Sequence, residues 1–105
     1  MSVRLKISTV GSSGKSLVFL HGWGMNSVVW QSLIDILKDQ FCITTIDLPG
    51  YGLNHQQLPV PYNLQNISTV VAEHLPANCT LIGWSLGGLV AQQIANSHPE
   101  KLKQL

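Results

Sequence analysis

The sequence predicts an α/β fold, a mostly parallel sheet with helices on both faces, and three observations carry that prediction. Short β-branched runs alternate with stretches whose apolar residues recur at helical spacing. Val3 to Thr9 alternates in strand fashion, while Leu17 to Leu20 is apolar throughout, as a strand covered on both faces is. Charged residues make up 10% and apolar residues 45% of the 105 residues, against a usual charged share of about a quarter. With a mean hydropathy of +0.20, the chain has too little polarity for disorder or a solvated tail. Its length fits one small domain or a piece of a larger one.

Each element follows in order. Val3 to Thr9 reads as a strand, Gly11-Ser12-Ser13-Gly14 as a turn, and Leu17 to Leu20 as a second strand, apolar at every position. Asn26 or Ser27 caps a helix whose Trp30, Leu33, Ile34 and Leu37 form one stripe at i, i+3, i+4 and i+7. Cys42 to Ile46 is the next strand, and residues 47–61 form a long connection rich in Pro, Gly and Gln. Leu64, Ile67, Val71 and Leu75 give a second helical stripe, ended by Pro76 and Asn78. Thr80 to Gly83 is a further buried strand, and Leu86 to Ser97 a third helix with Leu89, Val90 and Ile94 inward and Pro99 beyond its end. The sequence shows no internal repeat and no linker.

Composition excludes several functions. Six Lys+Arg against five Asp+Glu, a net charge of +1, leave no basic cluster for nucleic acid or an anionic membrane surface. Leu17 to Leu20 then meets His21, far short of the roughly 18 apolar residues a membrane span needs. Arg4 and Lys6 are followed by no apolar signal-peptide core, so a cytoplasmic location is expected. Cys42 and Cys79 open apolar strands without metal spacing and are expected as buried free thiols. The four histidines and five carboxylates never fall into ligand spacing, so neither a metal nor a cofactor is expected.

Two motifs carry chemistry. Gly11 to Ser16 resembles the end of a phosphate loop, but Thr9 stands where its first glycine should be, and Ser16 leads into a strand where such a loop opens a helix. The stretch Gly83-Trp84-Ser85-Leu86-Gly87 is G-x-S-x-G between an apolar strand and a helix, the context of a nucleophile elbow. Its serine is held above the sheet, and its glycines stand where strand and helix backbones come too close for a Cβ. The N-terminus of the helix from Leu86 favours an oxyanion. His21-Gly22-Trp23-Gly24 is a glycine-flanked turn at the end of an earlier strand, where parallel α/β sheets place their sites. In elbow architectures such a loop lends one oxyanion N–H and the residue after the nucleophile the other. The N–H groups of Trp23 and Leu86 are therefore the expected donors, leaving the Trp23 ring free to wall an acyl pocket.

Together, His21 to Gly24, Asp47-Leu48-Pro49-Gly50-Tyr51-Gly52 and Gly83 to Gly88 resemble the successive landmarks of the α/β-hydrolases. More narrowly, LHGWGMN, DLPGYG and GWSLGGLVAQQIA are similar to the carboxylesterases that cleave the methyl ester of pimeloyl-acyl-carrier protein in biotin synthesis. The likeness runs from about Leu17 to Leu105. One departure is Leu53-Asn54, where hydrolases of this type commonly carry a small or basic residue and then Ser.

The resemblance implies Ser85 as the acylated nucleophile, Trp23 and Leu86 as the oxyanion hole, an acyl-carrier-protein-linked ester as substrate, and a monomeric full-length form. It also implies an order of Ser, then acid, then His, so both partners should follow Ser85. His98 lies 13 positions on, mostly helix, roughly 20 Å from the hydroxyl. Neither His98 nor Glu100 serves. Asp47 precedes Ser85 and reads as a turn-stabilising carboxylate, His21 as a backbone hydrogen-bonding group, and His55 and His74 as loop and helix-surface residues. Residues 1–105 are therefore expected to be the N-terminal portion of a single α/β-hydrolase domain with an incomplete sheet, in which Thr80 to Gly83 lacks an outer partner. Acyl transfer and carbon–carbon bond hydrolysis share this layout and stay open, as does a non-enzymatic binding or assembly piece.

Overall fold

The computed structural model describes residues 3–11 and 14–104. Its five strands are β1 (Ile7–Val10), β2 (Lys15–Leu20), β3 (Phe41–Ile46), β4 (Cys79–Gly83) and β5 (Leu102–Gln104), in the order β1-β3-β2-β4-β5. β1 runs antiparallel to β3; every other pairing is parallel. The connections are a 3-10 turn (Ser27–Trp30) leading into α1 (Gln31–Leu37), then α2 (Leu64–Glu73) and α3 (Leu86–Ser97). Ser12 and Ser13 of the expected turn lie outside the described residues.

β2 shows why an unbroken apolar run becomes a central strand. Val18 and Leu20 face one side with Ile46 and Leu81, under Ile67 and Val71 of α2 and Val90 and Ile94 of α3. Leu17 and Phe19 face the other with Ile43, under Ile34 of α1. Phe19 also meets the Trp30 ring at 4.9 Å between centroids. Full burial of each such side chain is worth about 1.5–3 kcal/mol, so helices on both faces follow from the composition of the strand.

The expected cap opens a 3-10 turn, and α1 begins only at Gln31 with no side-chain cap. The Asn26 side chain accepts from Val28 N–H at the 3-10 turn, and Asn63 accepts from Asn66 N–H at α2. The apolar stripes of the helices are narrower than the periodicity suggested. Leu33 and Leu64 are exposed, and Leu89, expected inward, is exposed too. α3 instead buries Gly87, Val90, Ala91 and Ile94, an i, i+3, i+4, i+7 stripe that leaves position 89 about 100° off the buried face.

Three further expectations change. The first strand covers Ile7–Val10 and not Val3 to Thr9. Cys79 is buried, and burial pushes its thiol up, whereas Cys42 is only half-buried. β4 does have an outer neighbour: β5 pairs with it at Cys79↔Leu102 and Thr80↔Gln104, because the chain turns back through Pro99–Lys101 after α3. The pairing stops there, so Leu81, Ile82 and Gly83 are bridged on the β2 side alone.

Candidate active site

The carboxyl end of β4 carries Ser85. Its φ of 57° and ψ of −115° put a non-glycine residue in the left-handed region, at a cost on the order of 1–3 kcal/mol. The two glycines make this turn possible. A Cβ on Gly83 would fall on the Gly87 carbonyl and lie 2.7 Å from Gly88 N, and a Cβ on Gly87 would fall on the Leu20 carbonyl oxygen. The strand, the helix and the end of β2 therefore converge in space that only glycines leave open. Ser85 stands at the N-cap position of α3 but makes no capping hydrogen bond and is exposed. A serine at an N-cap ordinarily spends its oxygen on the helix; here that oxygen is free above the sheet.

The turn after β2 abuts the elbow. Trp84 N–H donates to Leu20 O at 3.1 Å, and a Cβ on Gly22 would stand 3.3 Å from the Ser85 Cβ. Neither the Trp23 nor the Leu86 N–H donates to a protein acceptor among the described residues. Trp23 is largely open to solvent and Trp84 about half so, and Trp23 meets Tyr51 edge-on at 6.2 Å between centroids. Ser85, Leu86 and Trp23 are thus brought to one end of the sheet.

His21 is fully buried and holds backbone on both sides of its ring. Nε2 accepts the Leu48 N–H at 2.8 Å, and Nδ1 lies 2.9 Å from the Gly22 carbonyl oxygen. An amide N–H only donates, which makes Nε2 the acceptor and puts the proton on Nδ1. With both nitrogens engaged, His21 is not available as a base.

Asp47 acts on loops. Its carboxylate accepts Ser27 N–H at 2.7 Å and Leu53 N–H at 2.9 Å, pinning the connection after β3 to the turn before α1. Burial pushes this carboxyl up, but the donors from Leu53 and Ser27 outweigh it and hold the group below the ordinary carboxylate value. Asn54, which drew notice only as a departure from the hydrolase pattern, is the loop's clamp. It is fully buried, donates to Asp47 O at 2.6 Å and Lys6 O at 3.0 Å, and accepts Lys6 N–H at 2.7 Å. A serine hydroxyl has one proton and could not donate to both carbonyls. Tyr62, which the sequence did not single out, donates to Pro49 O at 2.7 Å and closes the same loop from the far side.

The remaining histidines stand away from Ser85. His74, expected on a helix surface, is half-buried: Nε2 accepts Leu5 N–H at 3.0 Å while Nδ1 lies 2.7 Å from Val70 O. It ties the segment before β1 to α2, a role that depends on a long-range pairing no local pattern encodes. His55 bonds Gly52 O. His98 follows the last residue of α3, a 12-residue helix that sets it about 18 Å from the elbow. Among the described residues, no helix is long and apolar enough to cross a membrane.

Comparison with known proteins agrees with this fold. Residues 17–102 match the alpha/beta hydrolase family. A pimeloyl-[acyl-carrier protein] methyl ester esterase of Pseudoalteromonas atlantica is 52% identical over 105 residues, all of this chain and 40% of the relative. One of the same name from Vibrio cholerae is 43% identical over 96 residues, 91% of this chain and 37% of the relative. Among solved structures, a thermophilic esterase from Thermogutta terrifontis superposes with a TM-score of 0.83 at 25% identity, covering 95% of this chain and 38% of the other. An esterase from a marine microorganism gives 0.87 at 27% identity, with 96% and 40% covered. The chain therefore spans about 40% of the length of the relatives it matches.

Proposed function

Because the chain belongs to the α/β hydrolase family, we propose that residues 1–105 form the first part of a single hydrolase domain whose full-length form is a serine carboxylesterase. Ser85 is the nucleophile and the N–H groups of Trp23 and Leu86 receive the oxyanion. The observation that carries this reading is the conformation of Ser85: a positive-φ serine between Gly83 and Gly87, exposed, uncapped, and beside the Gly22 turn. Strain of this kind persists only where the surroundings enforce it, and it concentrates at reacting groups.

In the proposed reaction Ser85 Oγ attacks the ester carbonyl and the carbonyl oxygen gains charge between the two N–H groups. The alcohol leaves, and water hydrolyses the acyl-serine. The general base and its acid come from chain beyond residue 105, since His21 and His74 have both ring nitrogens on backbone, His55 bonds its own loop at Gly52 O, and His98 is remote. The substrate class follows the relatives' names: a methyl ester of a pimeloyl group carried on acyl-carrier protein, with no metal or cofactor called for.

The test is release of methanol from pimeloyl-acyl-carrier-protein methyl ester by the full-length protein. Turnover is expected, and Ser85→Ala should reduce it by roughly 10⁶. Hydrolysis that survives Ser85→Ala would overturn the assignment of the nucleophile. A full-length protein that transfers the acyl group to another acceptor and releases no free acid would replace hydrolysis with acyl transfer.

A further inference from the structure

We infer that His21 is a positioning residue for the oxyanion hole: its Nδ1–H fixes the Gly22–Trp23 peptide plane, and thereby the direction of the Trp23 N–H. The inference rests on the assignment of that N–H under the proposed function. The Gly22 carbonyl and the Trp23 N–H belong to one peptide unit. The Gly22–Trp23 bond is trans, so the two groups point in opposite directions. Whatever holds the carbonyl inward aims the N–H outward.

Two donors hold that carbonyl, His21 Nδ1–H at 2.9 Å and Met25 N–H at 3.2 Å. Met25 belongs to the same exposed turn and moves with it. His21 does not: its ring is fully buried, its Nε2 is tied to Leu48 N–H at 2.8 Å, and the edge of Tyr51 lies 5.2 Å away between centroids. The imidazole is thus a rigid strut from the loop after β3 to the oxyanion peptide. The strut works in one tautomer only. A proton on Nε2 in place of Nδ1 would set two donors against each other at Leu48 and leave the Gly22 carbonyl held by the Met25 N–H alone.

Two substitutions separate the halves of the strut in the full-length protein. The carboxamide of His21→Asn can occupy the Nδ1 position and donate to Gly22 O, but it does not reach Leu48. The carboxamide of His21→Gln can occupy the Nε2 position and accept from Leu48 N–H, but leaves Gly22 O with the Met25 N–H alone. Loss of a whole oxyanion donor costs about 10²–10³ in kcat. His21→Gln should therefore lose roughly 10- to 100-fold in kcat with KM near that of the parent, and His21→Asn should keep more of kcat than His21→Gln.

A merely structural role would rank the two by thermal stability, so Tm is measured beside kcat. A folded His21→Gln protein with parental kcat, or a ranking that follows Tm, overturns the inference. In the parent protein, the ring ¹⁵N shifts of His21 give a readout that needs no variant: Nδ1 protonated is expected, and Nε2 protonated overturns it. Failure of the underlying assignment shows separately, as an absence of Ser85-dependent turnover in the parent protein.

Discussion

The carboxamide of Asn54 satisfies three backbone groups that the fold buries, the Lys6 N–H and carbonyl and the Asp47 carbonyl. Removing it strands all three, and each buried group left without a partner costs about 1–3 kcal/mol unless water replaces it. Asn54→Ala is expected to destabilise the full-length protein by about 2–4 kcal/mol in urea unfolding. Asn54→Asp should do no better, because an anion there faces two carbonyl oxygens. A neutral result for either variant would mean that the clamp is dispensable. Glycines give a sharper contrast at the elbow. Gly83→Ala and Gly87→Ala place a Cβ on backbone atoms and should abolish both folding and turnover. Gly88→Ala meets its nearest atom, Gly83 O, at an ordinary 3.5 Å. It lies inside α3 and should raise stability by up to about 1 kcal/mol through helix propensity. Equal behaviour of the three alanine variants would refute the close-approach argument. Gly83 and Gly87 were legible in the sequence because a strand, a serine and a helix in succession leave one local geometry. Asn54 and His74 were not, since their partners Lys6 and Leu5 lie 48 and 69 positions away and no pattern within a window reports such a pair.

At the scale of elements, the connection between β3 and α2 is where an electrostatic term acts on the loops around the site. Asp47 gathers N–H donors from Ser27, before α1, and Leu53, after β3. Its carboxyl in the folded protein titrates below the ordinary value of 3.8. A carboxyl with a depressed folded value contributes stability that is present above the unfolded value and is lost as pH falls through the folded one. Asp47→Asn should therefore lower stability at neutral pH and flatten the fall in stability below about pH 4. Unfolding curves between pH 2.5 and 7 check this: parallel acid limbs for the two proteins would show that Asp47 is not the titrating group. The elements themselves were the most legible part of the chain, because an apolar run such as Leu17 to Leu20 needs cover on both faces wherever it sits. Helix faces were less so. Leu33, Leu64 and Leu89 fit an apolar stripe on spacing alone, but the sheet contacts only the arc centred on Ile34, Val71 and Val90.

At the scale of the whole molecule, β4 is paired along β2 from Thr80 to Gly83 yet meets β5 only at Cys79 and Thr80. Leu81, Ile82 and Gly83 line a groove of about 340 Å³ with Gly88, Ala91 and Gln92 of α3. β4 is the strand that delivers Ser85, so the support of the elbow is unequal on its two sides. Among the described residues, the groups that would activate Ser85 as the proposed nucleophile are likewise missing from its surroundings. Among the described residues, His21 beside the turn has both ring nitrogens on backbone, His55 and His74 bond backbone of other segments, and His98 lies a full helix away. Without a base, a serine hydroxyl is a weak nucleophile at neutral pH, and the oxyanion donors alone account for only about 10³–10⁴ over water. Residues 1–105 expressed alone should therefore hydrolyse a short p-nitrophenyl ester no faster than their Ser85→Ala variant. They should also self-associate as concentration rises, since an unpaired strand edge pairs with its like. Sedimentation velocity beside the ester assay reads both. Ser85-dependent turnover by a monodisperse 105-residue species would show that a base within these residues reaches the serine, and would make His21, the one histidine adjoining the elbow turn, the first to substitute.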